Sequence, residues 1–211
     1  MVKFPYYIII GSIVLHFLCT RFVWETGTLH YTINNSTNIY DIIHNNTLDY
    51  SRFNYTKNWY LLLFIIPVVL NTSLITNNIV LEFVIKFCII LIFRSIFMIT
   101  TILPKQNGCS VKSLSLFDMT IGGTCYDKIL SGHFAFGLLL TLIMFKYDFI
   151  KPKYYYYFVV LNVIHAIILT VTRSHYTLDV ILALCVTLMV HYTPYKHLGN
   201  TSVRQQHNIR I

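Results

Sequence analysis

The stretch Arg173-Ser174-His175-Tyr176-Thr177-Leu178-Asp179-Val180 lies between two strongly apolar runs. If a helix starts here, His175 and Asp179 share one helical face. A carboxylate one turn from an imidazole can select the ring's tautomer and stabilise its protonated form. The chemistry on offer is that of a nucleophilic or basic histidine, with Arg173 two residues upstream. The plainer alternative is a polar helix start that hydrogen-bonds its own first turn. A second constellation is Ser131-Gly132-His133, at the head of another apolar run. Ser131 suits a helix cap, and the first-turn amides behind it would make an anion site. A third is Arg94, deep in an apolar run. An arginine inside a membrane is costly, so it is expected to face a polar cavity and becomes a candidate phosphate ligand.

The elements that must position these residues follow from composition. The chain has 211 residues, 55% hydrophobic and 11% charged, and its mean hydropathy is +0.60. Soluble domains carry about 25% charged residues. The deficit, with several apolar runs near twenty residues long, predicts an all-α polytopic membrane protein, a bundle of about six transmembrane helices. The expected spans are Phe4 to Cys19, read as a retained helix and not a signal peptide, then Trp59 to Ile75 and Ile79 to Leu103. Gly132 to Tyr147, Tyr154 to Val171 and Thr177 to Tyr192 follow. The organisation is a first helix with a polar lumenal loop over 1–57, a catalytic transmembrane core over 58–195, and a basic cytoplasmic tail over 196–211. The net charge of +8 fits anionic headgroups or a phosphate substrate better than nucleic acid, because no long basic run occurs.

Six spans put both termini on one side. Lys3, Lys146, Lys151, Lys153, Lys196, Arg204 and Arg210 favour the cytoplasm for that side. The sequons at Asn34, Asn35, Asn45 and Asn54 agree with a lumenal first loop; those at Asn71 and Asn200 fall on the other face. The same connectivity brings His133, His175, Asp179, Arg94 and Arg173 to one membrane face. His44 in the first loop is read as solvated. Cys19, Cys88 and Cys185 read as small hydrophobes, whereas Cys109 and Cys125 flank the active-face loop and could pair if it is lumenal.

These residues carry a resemblance. Cys125-x-Asp127-x-x-x-Ser131-Gly132-His133 resembles one conserved block of the sphingomyelin synthases and related ceramide phosphotransferases, a branch of the lipid phosphate phosphatase superfamily. His175-Tyr176-Thr177-x-Asp179-Val180 resembles the next block, and Arg94-x-x-x-Met98-x-x-Thr101-x-Leu103-Pro104 an earlier one. The likeness covers about residues 58 to 195. Tyr126 and Phe134 stand where that branch usually has glycine and threonine. The phosphatases' upstream lysine-arginine-proline motif is absent.

The resemblance implies that His175 is the nucleophile, Asp179 its orienting partner and His133 the general acid and base. It implies that Arg94, Arg173, Ser131 and Gly132 bind the substrate phosphate and that Asp127 contacts the headgroup cation. The expected reaction moves phosphocholine or phosphoethanolamine from a glycerophospholipid to ceramide, releasing diacylglycerol. Hydrolysis by a lipid phosphate phosphatase or phospholipase C-like enzyme is the alternative, and an inert membrane scaffold the third. No cofactor and no metal are expected, since the His and Cys residues lack zinc spacing. The expected partners are phosphatidylcholine or phosphatidylethanolamine, ceramide and diacylglycerol in an endomembrane or plasma membrane, with no nucleic acid and with homo-oligomers allowed. The active face would be lumenal or extracellular.

Overall fold

The computed structural model describes residues 6–34, 39–70, 75–104, 125–149 and 151–194. The basic tail, Cys109 and the sequons at Asn35, Asn71 and Asn200 lie outside the described residues. Among those described, the protein is all helical: α1 (Tyr6–Asn34), α2 (Ile42–Asn46), α3 (Thr56–Leu70), α4 (Asn77–Thr100), α5 (Gly132–Lys146), α6 (Tyr155–Val171) and α7 (Thr177–Tyr192).

Tyr6–Tyr31 in α1 and Pro152–Val171, which includes α6, are long and apolar enough to cross a membrane. The helices α3, α5 and α7 are apolar but have only 15, 15 and 16 residues. The 24-residue α4 carries Glu82, Lys86 and Arg94.

The bundle is built around α5. Phe134, Ala135, Leu138, Leu139 and Ile143 meet Ile90 of α4, Leu169 of α6 and Val180, Ala183, Val186 and Val190 of α7. The α7 positions recur every three or four residues, so they form one stripe. The residues between them point outward and are also apolar: Leu178, Ile181 and Leu184 on α7, and Val160, Val163 and Ile167 on α6, are exposed. A soluble bundle would present polar side chains there. This outer surface suits hydrocarbon.

Two expectations about the first quarter of the chain change. The first helix does not stop at Cys19 but runs on to Asn34. Arg21 and Glu25 pair at 2.9 Å on its exposed side, while Val23 stays buried on the other, so charges do not end it. Gly27 lets α1 approach closely, because a Cβ there would sit 2.6 Å from the Tyr126 ring. The segment after α1 is also more than a solvated loop, since Asp41 to Asn54 folds onto the α6–α7 turn, as described below.

Glu82 and Lys86 form an i,i+4 pair at 2.9 Å, and both are buried. Glu82 also accepts from Lys146 at 2.7 Å and from the Tyr147 hydroxyl. Lys86 donates to the His191 carbonyl at 2.6 Å. The network ties α4, α5 and α7 at the end of the bundle away from Arg94, which removes much of the cost of burying the Glu82 and Lys86 charges.

Candidate active site

Local turns and helix caps aim the site. The helix α6 ends in a reversal: Arg173 has φ 57°, and Ser174 and His175 both donate their amides to the Leu169 carbonyl at 3.1 Å. A left-handed residue past a helix C-terminus satisfies its last carbonyls in this way. The turn points His175 inward before α7 begins. The start of α7 is closed by Asp179, whose Oδ2 accepts from the Tyr176 amide at 2.9 Å. Upstream, Leu130 also has φ 57°, a strained conformation for a large L-residue. It is followed by Ser131, whose Oγ accepts from the Phe134 amide at 3.3 Å and caps α5. The Ser131 amide donates to the Asp179 carbonyl at 3.2 Å, so the two histidine-bearing turns are hydrogen-bonded to each other.

The result is that His133 and His175, 42 positions apart in the chain, face one another with ring centroids 6.5 Å apart. His175 Nδ1 lies 2.8 Å from the Lys128 carbonyl oxygen. A carbonyl only accepts, so Nδ1 carries the proton and Nε2 is left with its lone pair. Asp179 Oδ2 is 3.6 Å from the same Nδ1, too far for a good hydrogen bond. The tautomer is therefore set by a backbone carbonyl where a carboxylate was expected, with Asp179 adding charge close by. Burial holds the His175 imidazole well below its ordinary pKa, and Lys128, Lys57 and His133 push the same way. His133 Nε2 donates to Asn58 Oδ1 at 2.9 Å, and Asn58 is exposed. The mouth of the site is therefore at His133.

Arg94 reaches the site from the last third of α4. Its Nη2 donates to the Asp127 carbonyl at 3.0 Å and stands 3.4 Å from Asp127 Oδ2. Its Nη1 would be 2.7 Å from a Cβ at position 132, so Gly132 provides the space in which the guanidinium crosses the α5 N-terminus. Arg173 is engaged elsewhere: its Nη2 donates to the carbonyls of His44 and Thr47. Two cations that the sequence reading did not single out, Lys57 and Lys128, are buried within electrostatic reach of both histidines. Burial also holds the Lys128 ammonium below its ordinary range. Three basic side chains, Lys57, Arg94 and Lys128, thus lie about the two histidines with two carboxylates, those of Asp127 and Asp179. The balance favours an anion.

Residues 124–197 match the family described as PAP2 superfamily C-terminal. The matched stretch includes both histidine turns of the site. No curated protein and no solved structure matches the chain. Similarity to that family fits phosphatase or phosphotransferase activity on lipid phosphates, and facing imidazoles beside buried basic side chains are groups that such chemistry can use. Arg94, Lys57 and Asn58 complete the PAP2 segment from outside the matched residues. Among the described residues no cluster of three His, Cys, Asp or Glu side chains could hold a metal. Cys125 is disulfide-bonded, and Cys19, Cys88 and Cys185 are free.

The Asp41–Asn54 segment holds the His175 turn from outside the matched residues. Asp41 caps α2 by accepting the Ile43 and His44 amides on Oδ1, each at 3.0 Å. It also accepts the Thr177 amide at 2.6 Å and the Thr177 hydroxyl at 2.8 Å. His44 Nε2 donates to the His175 carbonyl at 3.0 Å, so this ring is not simply solvated. Burial would raise the Asp41 carboxyl's pKa, but the His44 and Thr177 donors outweigh it and hold it below the ordinary range. Asp41→Asn keeps the shape and loses the charge and one acceptor. It is expected to cost about 2 kcal/mol, as for hydrogen bonds to a charged group. The measurement is thermal unfolding in detergent; an unchanged midpoint would show that Asp41 does not anchor the turn.

Proposed function

We propose that the protein transfers a phosphocholine or phosphoethanolamine headgroup from a glycerophospholipid to ceramide through a phosphohistidine. The observation that carries this reading is the His133–His175 pair, 6.5 Å apart, with His175 Nε2 left unprotonated by the Lys128 carbonyl. His175 Nε2 attacks phosphorus, and the bond from phosphorus to the diacylglycerol oxygen breaks. Protonated His133 gives that oxygen its proton as it leaves. His133, now neutral, takes the proton of the ceramide primary hydroxyl. The resulting oxygen attacks phosphorus, the phosphorus–nitrogen bond breaks and His175 is regenerated. Arg94, Lys57 and Lys128 offset the charge on the phosphoryl oxygens. Asp179 offsets the charge that develops on the His175 ring. Asp127 holds Arg94 across Gly132, and Arg173 acts mainly by fixing the turn before His175.

The chain would sit as a multi-pass bundle of about six spans with its termini in the cytoplasm. The disulfide at Cys125 supports a lumenal or extracellular active face, since such bonds persist in oxidising compartments. The test supplies purified protein with phosphatidylcholine and labelled ceramide. Labelled sphingomyelin is the expected product. Free phosphocholine without it would replace transfer by hydrolysis at the same histidines, and neither product would end the reading.

A further inference from the structure

An elongated apolar groove of about 460 Å³ lies between α5, α6 and α7. Its volume is in the range of ligand pockets, about 300–1,000 Å³. One end is formed by Ile43, Phe134 and Thr177, and the other by Tyr155 and Tyr192. Phe134 directly follows His133 in the chain, and Thr177 is two residues past His175, so the first end belongs to the same end of the bundle as the reacting groups. Along α7 the wall runs from Thr177 to Tyr192, roughly 22 Å at 1.5 Å per residue. That length is well within a hydrocarbon core of about 30 Å, so an acyl chain fits along it. Asn162 of α6 donates to Thr141 Oγ1 of α5 at 3.1 Å, which joins two groove walls. Val163, Ile167 and Ile181 also line the groove and are among the exposed apolar residues, so it communicates with the surface that suits lipid.

We propose that this groove seats one hydrocarbon chain of the lipid whose headgroup reacts at His133 and His175, a reading that rests on the function proposed above. A chain lying there enters from the bilayer without crossing water and ends beside Thr177. It also touches Ile43 of α2, the helix whose His44 and Asp41 hold the catalytic turn, so occupancy and the position of His175 are mechanically linked.

The test uses the full chain in phosphatidylcholine vesicles that contain a phosphatidylcholine with a diazirine near the end of one acyl chain. Irradiation is expected to label peptides spanning residues 159–167 and 181–192. Ala166→Phe, which fills the groove, should reduce that label at least fivefold and lower the ratio of long-chain to hexanoyl-chain turnover about tenfold. Val163→Trp at the rim repeats the experiment if the first variant does not fold. Label that ignores both substitutions, or an unchanged chain-length ratio, overturns the proposal. The two readings fail separately. Groove labelling that persists in a protein with no turnover of any lipid would remove the reaction and keep the chain site, whereas sphingomyelin formation without groove labelling would do the reverse.

Discussion

His175→Ala is expected to abolish product formation, with a loss of at least about 10³-fold, or roughly 4 kcal/mol at 1.36 kcal/mol per decade. The ring supplies the only atom in the proposed scheme that bonds to phosphorus on the enzyme, so no neighbouring group replaces it. The supporting measurement is the covalent state: wild type incubated with headgroup-labelled phosphatidylcholine should retain acid-labile label on residue 175, and His175→Ala should retain none. The pH profile follows from the same site. A nucleophile must be unprotonated, and burial with the nearby Lys128, Lys57 and His133 holds the His175 pKa well below 6.5. Lowering a base's pKa extends its active form toward acid, so the loss of activity assigned to protonation of His175 should fall below pH 6.5. An acidic limb centred at or above that value would mean that substrate or solvent reaches the ring far more than the buried geometry allows. Persistent turnover in His175→Ala would remove the nucleophile assignment altogether.

His133→Ala is expected to lower transfer from phosphatidylcholine by about 10²–10⁴-fold, the usual worth of a positioned general acid or base. A donor that leaves without needing a proton separates this role from a structural one. With a nitrophenyl ester of phosphocholine as donor, the first-turnover burst of nitrophenolate in His133→Ala should come within about tenfold of wild type. His175→Ala should remain inactive with that donor, because a better leaving group does not replace a missing nucleophile. Equal losses with both donors would make His133 a residue that shapes the cavity and carries no proton. The 2.9 Å hydrogen bond to Asn58 would then be its main contribution.

Much of the site was legible because short-range rules governed it. Ser131 caps α5 as a serine before an apolar run should. His175 and Asp179 lie on one face of one turn, as their spacing requires. Arg94 was read as facing a polar cavity, and it lies against Asp127. Other features were illegible because they depend on chain segments far apart. Lys57 and Asn58 precede an apolar run and look like an interfacial flank, and only the packing of α3 beside α5 brings them to His133. The Asp41–Thr177 bonds join residues 136 positions apart. Nothing local in a segment rich in Asn, Thr and Tyr distinguishes such an anchor from a solvated loop. The first helix was read as ending at Cys19, where the apolar run stops, whereas it runs on to Asn34 with Arg21 and Glu25 paired on one exposed face.

Composition and apolar runs by themselves pointed to an all-helical protein and placed the starts of its longer helices to within a few residues, though not α2, since backbone hydrogen bonds in apolar surroundings must close within each segment. The order of Ser131, His133, His175 and Asp179 along the chain likewise determined which chemistry was worth seeking. What only the tertiary structure decided was which atom governs each reactive group. The Lys128 carbonyl sets the tautomer of His175, Asn58 accepts a hydrogen bond from His133, and Arg173 is drawn away to α2 while two buried lysines approach the site. The physical reason is that tautomer and charge balance depend on distances of a few ångströms between elements. Residue spacing along one helix does not encode those distances.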